Sequence, residues 1–200
     1  MNSKIKQHFD NIASQYKTIF SKSLLRRSRD YNKRQLAKIL SDCKGEDILD
    51  SGCGVGLNCQ FVKELGANPY GIDFSLRMIE ELHRNGFNGE VQDLERFNLG
   101  RKFDKIICIG VFEFCKDHLS ILFNFRKHLK DNGCVVLHIS NYSLFSLLYF
   151  SYHLLITGIN IKLFSSKEIY KLVHQAGFVI SDKKKLPLSS VLYKLRKSHI

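Results

Sequence analysis

Apolar and polar positions along this chain follow two rhythms. Through residues 4–40 apolar side chains return at about every third or fourth place, first in IKQHFDNIASQYKTIF and then in SLLRRSRDYNKRQLAKIL, which predicts two amphipathic helices. From Asp47 onward the rhythm breaks into short apolar runs separated by helical stretches. DILDS reads as a buried strand running into a glycine-rich turn, followed by a helix over 57–65, a strand over 69–73 and a helix over 75–84 that Ser75 can cap. EVQD, at 90–93, is a third short strand. FDKIICIGVF is apolar without alternation, as a central strand covered on both faces must be, and a helix over 117–130 follows it. Asp131, Asn132 and Gly133 make a turn into the strand CVVLHIS. SSKEIYKLVHQA, at 165–176, reads as a helix with Ser165 or Ser166 as its cap and Gly177 just past its end. FVISDKKK and SVLYKLRK then supply two late strands on either side of Pro187. Alternating elements that close on a strand pair predict an α/β fold, a doubly wound, seven-stranded, mostly parallel sheet with one antiparallel member.

Length and composition fit this picture: 200 residues at 44% hydrophobic content suffice for one domain with a proper core. Its parts read as an N-terminal helical cap over 1–44, a core over 45–140, an apolar lid insertion over 141–164 and a closing helix with strands over 165–200. The six cysteines, at 43, 53, 59, 108, 115 and 134, form no CxxC pair, which points to reduced thiols in a cytoplasmic protein and away from a zinc or other metal site. No apolar segment of a secretory signal follows Met1. The net charge of +12 is uneven, with Lys17, Lys22, Arg26, Arg27, Arg29, Lys33, Arg34 and Lys38 in one stretch and Lys183, Lys184 and Lys185 in another. Such runs are solvated faces, or they meet an anionic partner. A membrane surface ranks above nucleic acid, because aromatic residues for base stacking are sparse among these charges.

Candidate chemistry concentrates in the first strand and turn. Asp50 precedes Gly52, Gly54 and Gly56, and Asp73 ends the next strand seventeen residues past the last of these glycines. This is half of a nucleotide-binding βαβ unit and calls for an adenosine-containing cofactor. Without a Cβ the glycines let backbone approach a ligand, and the strand-end acid can accept two hydrogen bonds from a ribose diol. The spacing is GxGxG, whereas nicotinamide and flavin sites usually show GxGxxG facing a pyrophosphate.

LDSGCGVG with the correctly spaced GID resembles motif I of the class I S-adenosylmethionine (SAM) methyltransferases, and nearly the whole chain resembles the small-molecule, quinone-type members. The resemblance implies a Rossmann-like fold, SAM as cofactor and S-adenosylhomocysteine as product. It implies that Asp50, Gly52, Gly54 and Gly56 surround the methionine moiety, with Cys53 and Met78 also among the cofactor-binding residues. Asp73 would hold the ribose, Phe74 the adenine face, Asp93 and the Leu94 backbone N–H the adenine edge. Ile109, Gly110 and Val111 would line the methionine side near the transferred methyl, Tyr16 would fold down over SAM, and Asn141 and Tyr142 would face the acceptor. A departure follows the fourth strand, where such enzymes tend to carry a Glu-His pair and this chain has Glu113-Phe114. Metal assistance and a histidine base at that position are therefore in doubt. His118 and Tyr142 are the remaining candidates for a catalytic group, while His138, inside the fifth strand, reads as a satisfied core histidine.

The segment LFSLLYFSYHLLITGINIKLF is richer in Leu, Phe and Tyr than a surface lid needs, yet Ser151, Tyr152, His153 and Gly158 interrupt it too much for a membrane span of about 20 apolar residues. It reads as a helical lid over the acceptor pocket. Beside a basic N-terminal helix it suggests a lipophilic acceptor met at a membrane surface; a dimer contact or a satellite core is the alternative, for a chain that is a monomer or a homodimer. The leading expectation is methyl transfer to O or N of a small acceptor. A SAM-binding scaffold without turnover and a nucleic-acid methyltransferase are the alternatives, the latter lacking an Asn/Asp-Pro-Pro-Tyr-like tetrapeptide where GVFE stands.

Overall fold

A computed structural model of the protein describes residues 3–22 and 26–198. The side chains of Lys22, Arg26 and Arg27 from the basic stretch, and of Tyr152 and His153 from the apolar segment, lie outside the described residues. Seven strands, β1 (Asp47–Ser51), β2 (Asn68–Asp73), β3 (Gly89–Val91), β4 (Phe103–Cys108), β5 (Leu129–Ser140), β6 (Phe178–Leu186) and β7 (Ser190–Lys197), form one sheet in the order β3-β2-β1-β4-β5-β7-β6. β1 to β5 pair in parallel, and β7 lies antiparallel to both β5 and β6. The order reverses at β1, so a crevice opens between β1 and β4 at their carboxyl ends, where open α/β sheets bind ligands.

Eight helices flank the strands among the described residues: α1 (Ser3–Ile12), α2 (Tyr16–Lys22), α3 (Arg26–Leu40), α4 (Leu57–Glu64), α5 (Leu76–Arg84), α6 (His118–His128), α7 (Leu144–Thr157) and α8 (Ser166–Gln175). On one face Ile121, Leu122 and Phe125 of α6 and Ile169 and Val173 of α8 share a core with Ile106, Val135, Leu137 and Ile139. On the other face Leu36, Ile39 and Leu40 of α3 and Val62 of α4 meet Ile48, Ile107, Val136 and Leu192. Alternate residues of β5 therefore enter opposite cores, which is the period-two consequence of a strand covered on both sides. Lys194 Nζ donates to Ile39 O (2.9 Å) and Lys105 Nζ to Asp42 O (2.8 Å). These bonds hold the end of α3 near where β4 begins.

Several element boundaries differ from the periodicity: β3 ends at Val91, β4 at Cys108 and α6 at His128, short of the predicted Asp93, Phe112 and Lys130. The first predicted helix is interrupted by a 3₁₀ turn, Ala13–Gln15, whose Ala13 is buried against Val55 and Met78. Residues 131–133 lie within β5, where the pairing with β4 slips between Phe103 and Lys105. The extra residues are absorbed as an irregularity in the ladder, and Asp131 is held by Lys197 Nζ at 2.9 Å. Elsewhere the caps stand where polar residues precede apolar runs. Ser75 accepts from Met78 N, Asp117 from Ser120 N, and Ser165 forms a reciprocal capping box with Glu168. α7 runs from a Ser143 cap to a left-handed Gly158 and leaves much of its apolar surface uncovered, with Leu144 77% and Leu155 84% exposed. The chain then returns to the sheet, burying Ile159, Ile161, Leu163 and Phe164.

Candidate active site

β1 passes into its turn under tight backbone control. Ser51 Oγ donates to Ile107 O (2.7 Å), and the Gly52 and Cys53 amides both donate to Ile72 O at 2.8 and 3.0 Å. Gly52 adopts φ +78°, and a Cβ there would lie 2.3 Å from Val111 Cγ2, so the turn after β1 and the end of β4 touch through a position that only glycine can occupy. Gly54, at φ +51°, donates its N–H to Asp73 Oδ2 at 3.0 Å. Asp73 Oδ1 accepts from Ser75 N at 2.9 Å, so one carboxylate joins the glycine turn to the start of α5. Asp73 is 7% exposed; burial raises its pKa to about 6 against the opposing Ser75, Gly54 and Phe74 amides.

Asp50 is fully buried. Its Oδ2 accepts from Cys59 Sγ at 3.5 Å, and its Oδ1 has no hydrogen-bond partner. Burial raises this carboxyl to about 7, with the Cys59 and Asn58 side chains opposing and the Asp73 charge adding to the shift. A buried carboxylate oxygen without a partner costs free energy that a cation or an N–H donor would recover. The α-ammonium group of SAM is such a donor, and the chain thus fits the cofactor its turn implies.

Phe74 and Asp93 line a common hollow of about 550 Å³ with Ser3, Lys6, Val91, Gln92 and Arg96. Asp93 accepts from Glu95 N (3.1 Å) and Arg96 Nε (3.3 Å); burial pushes its pKa up, but the Glu95 amide, and with a smaller share the Arg96 charge, are among the causes that hold it below the ordinary carboxylate value. Leu94 is buried, and its carbonyl accepts from Asn124 Nδ2 at 3.1 Å. The roof of this hollow is α1. Asp10 Oδ1 accepts from Ser75 Oγ (2.5 Å) and Arg77 N (3.4 Å), and the Phe9 ring stands edge-on to Phe74 and Phe114. Met78 and Cys53 are buried beneath the turn, and Tyr16 packs half-buried on the cluster of Ala13, Val55 and Met78.

On the β4 side, Ile109 packs against the α3 core, and Gly110, at φ +70°, faces open space where a Cβ would meet nothing within 4 Å. The 3₁₀ turn Phe112–Phe114 follows and turns Glu113 inward, where its Oε1 accepts from Ser140 N at 2.9 Å. His138 Nδ1 lies 3.7 Å from that oxygen. Five buried side-chain polar atoms lack a hydrogen-bond partner among the described residues: Asp50 Oδ1, Glu113 Oε2, His138 Nδ1, Asn141 Oδ1 and Asn32 Oδ1. The first four belong to the carboxyl ends of β1, β4 and β5 or the residues just after them, and Asn32 sits on α3 one turn before Leu36. His138 is therefore not the satisfied core histidine that its place in an apolar strand suggests. Its alternation into the α3 face was legible in the sequence, but the partner it lacks was not.

The two candidates for a catalytic group are placed differently from each other. His118 is neither on the surface nor the α6 cap, which is Asp117. Its ring is buried between Phe112 and Phe164, with Nε2 3.1 Å from Phe112 O, and burial lowers its pKa. Tyr142 is 58% exposed beside Asn141 at the root of α7. All six cysteines are buried and form no disulfide, and no group of His, Cys, Asp and Glu among the described residues is arranged to hold a metal ion.

Comparison with known proteins agrees with the fold. The chain is 30% identical over 102 residues to a mitochondrial ubiquinone biosynthesis O-methyltransferase of Schizosaccharomyces pombe, covering 46% of this chain and 37% of that protein. It is 24% identical over 133 residues to a malonyl-[acyl-carrier protein] O-methyltransferase of Calditerrivibrio nitroreducens, covering 64% of this chain and 51% of the relative. The chain thus spans about half or less of these relatives' length. The fold matches magnesium protoporphyrin IX methyltransferase of Synechocystis, solved with bound S-adenosylhomocysteine, at a TM-score of 0.63 and 20% identity over 97% of this chain and 84% of that one. A methyltransferase-domain model matches residues 24–182, and with the sheet order, the glycine turn and the strand-end acid already in place, the chain belongs to this family of SAM-dependent methyltransferases.

Proposed function

We propose that this chain transfers a methyl group from SAM to an oxygen or nitrogen of a small, lipophilic acceptor. The observation that carries this reading is the convergence of an orphaned, fully buried Asp50 oxygen, the Gly52–Gly54 turn and Asp73 at the carboxyl edge of the sheet. In this reading Asp50 and the turn hold the methionine moiety, Asp73 the ribose, and Phe74 with Asp93 the adenine end of the hollow. Asp73 already accepts two backbone N–H groups, but each carboxylate oxygen has a second lone pair to offer a hydroxyl. The sulfonium of SAM supplies an activated methyl, so the chain's own task is to align and desolvate the acceptor, which can be worth about 7–11 kcal/mol. The N-terminal helices roof the cofactor, and α7 covers the acceptor side.

Calorimetric titration with SAM and S-adenosylhomocysteine, alongside Asp73→Ala and with NAD as control, tests the reading. Micromolar SAM binding lost in the variant is expected; binding to NAD alone, or to neither, sinks it.

The uncovered apolar surface of α7 supports a lipophilic acceptor drawn from a membrane surface, with Lys17, Arg29, Lys33 and Lys38 in the N-terminal helices to meet anionic headgroups. No helix among the described residues is long and apolar enough to cross a membrane, so the contact in this reading is peripheral. Flotation with anionic phosphatidylserine vesicles at low salt checks it, and protein left in the soluble fraction counts against it.

A further inference from the structure

Glu113 and His138 come from different elements, the turn after β4 and the end half of β5, yet their polar atoms meet. Glu113 is anchored by the Ser140 amide on Oε1. His138 Nδ1 lies 3.7 Å from that same oxygen, just beyond hydrogen-bond distance. Nδ1 has no other partner, and neither does Glu113 Oε2. The ring is not sealed in, since 16% of its side chain is open, and no described residue bonds to Nε2. The register sets His138 beside Leu192 of β7, and the charge that acts on it is that of Glu113. A carboxylate behind one imidazole nitrogen fixes the tautomer and leaves the other nitrogen basic. Catalytic hydrogen bonds are often long before substrate binds, so 3.7 Å suits a pair that tightens on use.

The geometry points to His138 as the base that takes the proton from an acceptor hydroxyl, with Glu113 as its positioning residue; this rests on the methyl-transfer reading above. The proton passes from the acceptor oxygen to His138 Nε2 while that oxygen bonds to the methyl carbon. The methyl–sulfur bond breaks with its electron pair staying on sulfur, leaving a methyl ether, neutral S-adenosylhomocysteine and an imidazolium whose charge Glu113 faces. Phe114 stands next to Glu113 in the chain, and the imidazole is supplied instead by the neighbouring strand. Asn141, with its unpartnered Oδ1 just beyond the same strand, is placed to accept from a second hydroxyl.

Two readouts test the assignment. In protein labelled with ¹⁵N-histidine, with the signal identified by its loss in His138→Gln, His138 is expected as the Nδ1–H tautomer, and its titration midpoint should move to lower pH in Glu113→Gln. The Nε2–H tautomer, or a midpoint indifferent to Glu113, overturns the pairing. Methyl transfer from SAM to phenol and catechol, followed as S-adenosylhomocysteine released, should fall about 10²- to 10⁴-fold in His138→Gln at pH 7 with SAM binding unchanged. The loss should shrink as pH rises toward the phenolic pKa of about 10. Glu113→Gln keeps an acceptor for the Ser140 amide and should lose less. Equal rates in His138→Gln and the parent overturn the inference, as does SAM binding without transfer to either phenol. Failure to bind SAM at all sinks the methyl-transfer reading, and the base assignment with it.

Discussion

Asp50 should make the ligand-free protein less stable than it need be, and replacing it with asparagine should reveal by how much. The carboxyl titrates at about 7 in the folded chain against an ordinary 3.8. At about 1.4 kcal/mol per tenfold, ionising it in place costs about 4 kcal/mol. The sign follows from proton counting. Between pH 4 and 7 the folded state keeps a proton that the unfolded chain has released, so stability from this group is complete below about pH 4 and is lost as pH rises to about 7. The amide of Asp50→Asn would keep the shape and the contact with Cys59 but leave one edge unpaired, at about 1–3 kcal/mol. Urea unfolding of both proteins across pH 4 to 8 measures the effect. The comparison must be of the difference between the curves, because burial lowers the pKa of His118, His128 and His138, and these groups cost stability as pH falls. The advantage of Asp50→Asn should grow by about 4 kcal/mol between pH 4 and 7 and continue no further once the folded carboxyl has ionised. SAM affinity should fall in the variant, and in the parent SAM binding near pH 6 should release a proton, visible as a dependence of binding enthalpy on the buffer. A stability difference that does not change with pH would refute the argument that Asp50 is a destabilising group held for a cation.

Three further outcomes follow from the same site. Gly52→Ala should lose roughly 1–2 kcal/mol to its left-handed backbone and about 1–3 kcal/mol to the overlap with Val111, and a double-mutant cycle with Val111→Ala, which removes both Cγ atoms but keeps Cβ 2.9 Å away, should return part of the second loss and none of the first. Asp10→Ala removes the carboxylate that accepts from Ser75 Oγ and Arg77 N, so amide exchange in α1 should quicken while the global urea midpoint changes little. Leu148→Ser and Leu155→Ser alter side chains 63% and 84% exposed, and should leave the melting temperature nearly unchanged while abolishing vesicle flotation.

How far the sequence reached depended on whether a feature is local. The glycine turn, the Ser75 and Ser165 caps and the Pro187 break are decided by a few adjacent residues, and the strands and helices lie where those signals put them. Where a boundary depended on distant packing it moved. The first helix breaks at Ala13 because that residue is drawn against Val55 and Met78, and Asp131–Gly133 joins β5 because β4 tolerates a slipped register. The same limit governs the site. Asp50 and Asp73 stand 23 residues apart in one βαβ unit, and their relation could be read from spacing alone. Glu113 and His138 stand 25 apart, and nothing between them announces that a 3₁₀ turn will rotate the acid into the strand. Apolar neighbours made His138 look like packing, because periodicity reports which face a residue takes and not whether its nitrogens find partners. Unpaired buried polar atoms are a tertiary property, and they gather at the carboxyl edge. A fold whose one other unpaired buried side-chain polar atom among the described residues is Asn32 Oδ1 has no structural reason to strand four of them along one edge, so their cost is best understood as the reserve from which ligand binding draws.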